Sequence, residues 1–293
     1  MSAPMQPHHI NRISFAGLGL IGASLMQAIR RASEETGRSI ELIGWDPGFD
    51  PNDITCITGT LGLDRFEEDP AKLYDADVVV LCAPVLTNIA LLEQVSRHAP
   101  AGVLVTDVSS TKSMIAERAS ALGIEFIGMH PIAGREQQGY LAASPELLAG
   151  HLLIVCSGDR LPENGRAGEF FGLLEAAGCI PTVMTPEEHD RIYANISHLP
   201  QLISTTLMTF CHENIGRSGP GFASVTRLAG SPWPVWRDIV STNSTNIADE
   251  LDAFSARLAH LADEVRGLKL DAIAGDFREA NRLYQSLQQR GRT

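Results

Sequence analysis

Short apolar runs punctuate the first part of the chain. Ile13–Ala16, Ile40–Trp45, Val78–Cys82, Val103–Thr106, Phe126–Met129 and Leu152–Cys156 are strand-like. Amphipathic stretches such as Leu20–Arg31 and Thr111–Ala121 lie between several of them. Strand–helix–strand alternation with apolar strands predicts a parallel sheet covered on both faces. Pro181–Met184 reads as one last strand. The texture then changes. In Thr185-Pro186-Glu187-Glu188, Thr185 can cap a helix, Pro186 suits its first position and Glu188 completes a capping box. Beyond this start, strand signals almost vanish, and Leu251–Leu268 and Asp271–Gln289 show helical apolar spacing with interleaved charge. The pattern divides the chain into an α/β domain over residues 1–184 and an all-helical domain over residues 185–293.

Composition adds limits. The 293 residues are 44% hydrophobic and 20% charged, ordinary globular usage that excludes disordered, collagen-like and coiled-coil chains. A net charge of -12 argues against nucleic-acid binding and requires any anionic substrate to be held by locally placed arginines. The five cysteines are widely spaced with no C-x-x-C pair, which reads as reduced thiols of a cytosolic protein. Met1–Asn11 lacks the basic start and apolar run of a signal peptide, and no apolar run is long enough to span a bilayer, so the expected compartment is the cytoplasm.

The first strand runs straight into Gly17-Leu18-Gly19-Leu20-Ile21-Gly22, a G-x-G-x-x-G that opens a helix. Gly17 permits the tight turn, Gly19 lets the backbone approach a pyrophosphate at the helix N-terminus, and Gly22 lets helix and strand pack closely. The flanks separate this from a ligand-free glycine turn. The second strand ends at Asp46, where a carboxylate can accept from adenosine ribose hydroxyls and would repel the phosphate of NADP. Asp46 also suits the turn Asp46-Pro47-Gly48, and both roles can hold together. The expected fold is a Rossmann-type doubly wound parallel sheet followed by an all-helical domain, and the expected cofactor is NAD, bound through Gly17, Gly19, Leu20, Ile21, Gly22 and Asp46.

Three further segments carry chemistry. Asp107-Val108-Ser109-Ser110-Thr111-Lys112 follows a strand, at the sheet edge that faces the ligand crevice; its serines can bond a substrate hydroxyl or cap the next helix. His130 lies where another strand opens into the loop Pro131–Glu136, and a neutral imidazole there can take a proton. In Ser197-His198-Leu199-Pro200-Gln201, Pro200 disrupts a helix, and His198 and Gln201 share a face. His189 precedes His198 by nine residues, half a turn out of phase in a straight helix, so only a kink or a second subunit brings the two together.

Gly17–Leu25 (GLGLIGASL), Asp107–Lys112 (DVSSTK), Gly128–Gly139 (GMHPIAGREQQG) and Ser197–Pro200 (SHLP) occur in this order, followed by Thr226-Arg227-Leu228-Ala229 and Trp236-Arg237-Asp238-Ile239. Together they resemble the prephenate/arogenate (cyclohexadienyl) dehydrogenase family, over residues 12 to 240. The resemblance implies NAD-dependent oxidative decarboxylation of prephenate to 4-hydroxyphenylpyruvate, or of arogenate to tyrosine, in tyrosine biosynthesis. Loss of hydride and a proton from the ring carbinol gives a vinylogous β-keto acid that loses CO2 and becomes aromatic. By resemblance His130 is the base, Ser110 bonds the same hydroxyl, Arg227 pairs with a substrate carboxylate, His189 and His198 lie near the substrate, and Glu136 sits at the pocket mouth. Arg135 has no counterpart in the family pattern. Gln201 stands where many prephenate-using members have histidine, near the substrate side chain, which leaves prephenate against arogenate open; Ser109 stands where glycine is usual.

The resemblance also implies a homodimer through the helical domain, for which Trp233–Leu268 offers an apolar face. With the fingerprint near the N-terminus and helices up to the C-terminus, neither a fused chorismate mutase nor an ACT-type domain is expected, and any tyrosine inhibition is expected to be competitive in the substrate pocket. Rival readings are a 3-hydroxyacid-type dehydrogenase, a same-fold enzyme acting on 4-amino-4-deoxyprephenate, and a protein that senses NAD without turnover. The first relies on a lysine early in the helical domain, whereas the lysines here are Lys72, Lys112 and Lys269.

Overall fold

The structure, a computed structural model, describes residues 10–135 and 137–290. The first sheet is built from β1 (Arg12–Ala16), β2 (Glu41–Trp45), β3 (Arg65–Phe66), β4 (Val78–Leu81) and β5 (Leu104–Asp107), connected by α1 (Leu20–Glu35), α2 (Pro51–Gly59), α3 (Pro70–Leu73) and α4 (Val85–His98). All pairings are parallel, and the order is β3-β2-β1-β4-β5. The chain steps to one side of β1 and then returns to its other side. The crevice where a doubly wound sheet receives its ligand therefore opens beyond the C-terminal ends of β1 and β4.

Both faces are covered, as the apolar strands predict. Alternate residues of β4 enter opposite cores: Val78 and Val80 join Ile13, Phe15 and Leu25 beneath α1, whereas Val79 and Leu81 join Leu92, Val95 and Ile115 beneath α4. β3 escapes the sequence reading because two residues carry no period.

The expected single sheet is in fact two. After α5 (Ser113–Ala121), the chain touches β5 only through a bridge at Val105 and Phe126. It then leaves as β6 (Gly128–Pro131) to pair with β7 (Leu152–Cys156), which pairs in turn with β8 (Ile180–Val183). β6 and β7 are antiparallel, whereas β7 and β8 are parallel. The connections explain this. Parallel pairing needs a crossover, and α6 (Gly165–Ala176) supplies one between β7 and β8. Between β6 and β7 the described residues form only the short 3-10 turns Tyr140–Ala142 and Pro145–Leu147, so the strand returns antiparallel.

Beyond β8 the described residues are helical: α7 (Pro186–Tyr193), α8 (Leu199–Phe210), α9 (Pro220–Val225), α10 (Trp233–Thr242), α11 (Ser244–Arg266) and α12 (Leu270–Arg290). Thr185 Oγ1 accepts the Glu188 N–H at 3.1 Å, the first half of the anticipated capping box. A π-helical stretch, Ala194–His198, joins α7 to α8, with Pro200 in the first turn of α8. The hydrogen bond that Pro200 cannot make is absorbed in this widened turn. Among the described residues, no helix is long and apolar enough to cross a membrane.

The glycines after β1 test the packing. A Cβ on Gly22 would lie 2.4 Å from the Gly17 carbonyl oxygen and 2.9 Å from Cys82 Cβ, whereas one on Gly19 would meet nothing within 4 Å. Gly19 also has an ordinary φ of -69°. Gly22→Ala should therefore cost about 1–3 kcal/mol by overpacking, and Gly19→Ala should stay within about 0.5 kcal/mol of the parent. Urea unfolding of both variants checks the contrast; equal losses would contradict it.

Candidate active site

The glycine turn is held from two sides. Gly17 has φ +102°, a left-handed conformation, and a Cβ there would strike Cys82 and Ala83 backbone at 2.8 Å. Asp46 Oδ2 accepts the Leu18 N–H at 2.9 Å, and Asp46 Oδ1 accepts the Gly48 N–H at 2.9 Å. Asp46 thus ties the turn to the end of β2 as well as shaping its own turn. α1 begins at Gly19 without a side-chain cap or an acidic residue in its first turn. Its first N–H groups face open space beside Gly19, which fits a dinucleotide pyrophosphate.

From Gly19, Leu20 and Ile21 a cleft of about 340 Å³ runs past Ala83 and Pro84 to Ser109 and Ser110, and is closed from the helical side by Val235, Asp238 and Ile239 of α10. A second cavity of about 770 Å³ is lined by Arg135, Gln138, Arg227, Leu228 and Ser231. Arg135 and Gln138 wall both spaces, so the two adjoin.

His130 is carried by β6, and its environment fixes its protonation. His130 Nδ1 lies 2.9 Å from His189 Nε2, and His189 Nδ1 lies 2.8 Å from Asp190 Oδ1. The Asp190 carboxylate only accepts, so His189 donates from Nδ1; neutral His189 then accepts at Nε2, and His130 donates from Nδ1. His130 Nε2 is left as a bare acceptor. Asp190 is itself fixed, because Oδ1 accepts the Lys112 N–H at 2.7 Å and Oδ2 accepts the Ser113 N–H at 2.8 Å. It thereby caps α5 from α7. Neither Ser109 nor Ser110 does so: the Ser109 hydroxyl accepts from Asn88 Nδ2 at 2.9 Å. That bond also accommodates serine where the family pattern has glycine.

Beneath His130 lies a fully buried ion pair. Lys112 Nζ donates to both Asp107 carboxylate oxygens, at 2.7 and 2.5 Å, and to the Met129 carbonyl at 2.9 Å. The last bond pins the residue next to His130. Withdrawal from water, the cost of placing a proton close to His189 and His198, and the positive field of Lys112 hold the His130 imidazole well below its usual pKa. Burial lowers His189 as well, outweighing the upward pull of Asp190. Burial alone would raise Asp190, but bonds from His189 and the Ser113 and Lys112 backbone outweigh it and keep the carboxyl ionised.

The structure redistributes several sequence-predicted site residues. Ser110 lines the cleft and Arg227 the adjoining cavity. Glu136 lies outside the described residues. His189, His198 and Gln201, expected near the substrate, are buried, at 0%, 1% and 4% exposure. His189 stands behind His130 in the same subunit. His198 Nδ1 lies 3.3 Å from Asn243 Nδ2, and its ring packs edge-on against Trp236. Gln201 Nε2 donates to the Leu228 carbonyl at 2.7 Å, and Gln201 Oε1 accepts from Ser231 Oγ at 3.1 Å. Both ends of this amide hold the turn that carries Arg227. Asp190 and Asn243 were missed by the sequence reading. Adjacency to His189 was the only signal for Asp190, and Asn243, which donates to the Asp190 carbonyl at 2.7 Å, gave none.

Three neutral imidazoles have a thermodynamic consequence. Below pH 6.5 the unfolded chain protonates histidines that the folded chain keeps neutral, so stability present above 6.5 is lost as pH falls toward the folded values. His198, pushed down to about 4 mainly by burial, accounts for about 3 kcal/mol of that loss. Urea unfolding at pH 7.5 and 4.5 should show the decline, and His198→Gln should make it shallower; an unchanged slope in the variant would refute a buried neutral His198.

Comparison with known proteins agrees with this geometry. Residues 31–165 match the family model "Prephenate dehydrogenase, nucleotide-binding domain", and residues 185–280 match "Prephenate dehydrogenase, dimerization domain". The chain is 30% identical to prephenate dehydrogenase of Bacillus subtilis, over 82% of this chain and 66% of the relative. It superposes on the Synechocystis arogenate dehydrogenase structure with a TM-score of 0.79 at 27% identity, covering 92% and 97% of the two chains. It shares its fold with A. aeolicus prephenate dehydrogenase, solved with hydroxyphenyl propionate and NAD+, at a TM-score of 0.86 and 24% identity over 96% and 100% of the chains. With a glycine turn that leaves a helix N-terminus open and an imidazole chain that ends in a bare nitrogen, the chain belongs to the prephenate dehydrogenase family of oxidoreductases.

Proposed function

We propose that this chain carries out the oxidative decarboxylation of a cyclohexadienyl carboxylate, prephenate or arogenate, with NAD as acceptor, in tyrosine biosynthesis. The observation that carries the reading is the fixed tautomer of His130, whose free Nε2 is suited to take the ring hydroxyl proton. Its depressed pKa keeps it unprotonated throughout the neutral range. Ser110, on the wall of the nucleotide cleft, serves as the second hydrogen-bonding partner of that hydroxyl. When bound, NAD supplies the hydride acceptor. Gly17, Gly19, Leu20, Ile21 and Gly22 hold its pyrophosphate region, and Asp46, whose oxygens each keep a lone pair, meets the adenosine ribose and disfavours NADP.

Arg227 and Arg135 share the adjoining cavity. Two guanidiniums there suit the two carboxylates of such a substrate, and they act locally against a chain of net charge -12. Gln201, engaged at both ends by the Arg227 turn, acts on the substrate through that turn. The choice between prephenate and arogenate therefore falls to the cavity wall around Arg135, Gln138 and Arg227.

The functional unit is a homodimer. Phe210, Leu258, Val265, Phe277 and Leu287 are exposed on α8, α11 and α12, and an apolar groove of about 310 Å³ runs between α8 and α11. Faces of this kind fit a second copy of the chain, and the matched family model for this region is described as a dimerization domain.

His130→Asn should lower turnover by about 10²–10⁴-fold, the usual worth of a positioned base, while leaving NAD affinity unchanged. Steady-state NADH formation with prephenate and with arogenate tests this, and parental turnover in the variant would refute the assigned base. Arg135→Gln should raise KM about tenfold or more, the scale of one charge-assisted hydrogen bond, with a smaller effect on kcat; an unchanged KM would remove Arg135 from the substrate site. Sedimentation should give a particle of twice the 31.6 kDa chain mass.

A further inference from the structure

The wall shared by the nucleotide cleft and the adjoining cavity is an exposed strap, not a strand or a helix. Arg135 and Gln138 border both spaces, and both are exposed. A long exposed side chain has many rotamers and loses entropy when one is selected, so its placement depends on what it leans against. Arg135 leans on the far end of its own strap. Its Nη1 donates to the Ala142 carbonyl at 3.4 Å, and Ala142 closes the 3-10 turn Tyr140–Ala142. Whatever holds that turn therefore also sets where the guanidinium stands.

The turn is tied to the nucleotide-binding half at both ends. Tyr140 Oη donates to Asp53 Oδ1 of α2 at 2.6 Å, and beyond the turn the Ser144 N–H donates to Ser24 Oγ of α1 at 3.0 Å. The Tyr140 ring packs against Phe49, with centroids 4.8 Å apart, which aims its hydroxyl at α2. Asp53 is a fixed acceptor, because its Oδ2 takes the Asp50 N–H at 3.0 Å in the capping box of α2. One oxygen thus serves the helix start and the other serves the strap. The bond lowers the Asp53 carboxyl and raises the Tyr140 hydroxyl, so phenol donates to carboxylate throughout the neutral range. We propose that Tyr140 is a positioning residue for substrate binding: its bond to Asp53 holds the turn whose Ala142 carbonyl steadies the Arg135 guanidinium at the cavity. The proposal rests on the reading of Arg135 as a partner of a substrate carboxylate. It makes α2, which lines neither space, a support of the substrate wall.

The test is a double-mutant cycle in steady-state kinetics at saturating NAD, with whichever of prephenate and arogenate the parent turns over. Tyr140→Phe keeps the ring on Phe49 and removes only the hydroxyl, so its melting curve should stay close to that of the parent. Its KM should rise about two- to tenfold, the scale of one hydrogen bond, with kcat and the dissociation constant for NAD changed less than about twofold. In the Arg135→Gln background the same substitution should change KM by less than about twofold, because its effect passes through the guanidinium. An equal rise in both backgrounds would mean that Tyr140 acts by another route. A loss confined to kcat, or matched by a loss of NAD affinity, would mean general damage to the cleft. An unchanged KM in Tyr140→Phe would mean that Arg135 stands without this anchor. Each of these overturns the proposal while a raised KM in Arg135→Gln alone leaves the reading of Arg135 intact. An unchanged KM in Arg135→Gln overturns both.

Discussion

The carboxylate of Asp190 is the constraint on which the rest of the site depends. It accepts from the first N–H groups of α5, which follow β5 in the nucleotide-binding half, and from His189 beside it on α7. Its own carbonyl accepts from Asn243 at the end of α10. One buried residue thus fastens the Rossmann sheet to the helical half and sets the direction of a hydrogen-bond chain that ends at His130. The two functions are one interaction. A helix N-terminus is an anion site, and filling it with a fixed carboxylate from the other half both caps the helix and keeps the carboxylate ionised. That ionised group in turn orients two imidazoles.

The logic parallels a nucleophile–histidine–acid triad, with a second imidazole inserted between the acid and the proposed base. The insertion has a cost and a use. Each buried imidazole must remain neutral, since a proton on either ring would meet the other and the Lys112 ammonium beneath. The Lys112–Asp107 pair carries no net charge, yet its positive end is the one directed at Met129, next to His130. That orientation adds to burial in keeping the proposed base, His130, free of protons.

Much of this was legible in the sequence, and the parts that were not share a physical reason. The strands of both sheets other than β3, the glycine turn and the start of α7 follow from local periodicity and local chemistry, and the structure places them within a residue or two of expectation. The split into two sheets was hidden because it depends on how β6 returns to β7, which no short window encodes. The polar residues show the same limit more sharply. The family resemblance marked His189, His198 and Gln201 as functional, yet each turns a different way. His189 backs His130, His198 packs on Trp236 and Asn243, and Gln201 grips the Arg227 turn. A straight helix would have set His189 and His198 on opposite sides. The π-helical Ala194–His198 changes that phase, and its cause, Pro200, was visible while its effect on direction was not.

That second layer changes what specificity means in this fold. A side chain whose hydrogen bonds are all engaged by protein cannot read a substrate directly; it can only set the position of one that does. Gln201 fixes Leu228 and Ser231, which line the cavity within and just after the turn that begins at Arg227. A histidine in its place has two ring nitrogens in a rigid plane, one donor and one acceptor when neutral, and could not span both partners as a flexible amide does. Exchanging one for the other would therefore shift the turn, and with it the guanidinium, before it altered any direct contact. Selectivity between an amino and a keto side chain would then follow from where Arg227 stands relative to Arg135, a matter of backbone placement inherited from a buried amide one layer behind the pocket wall.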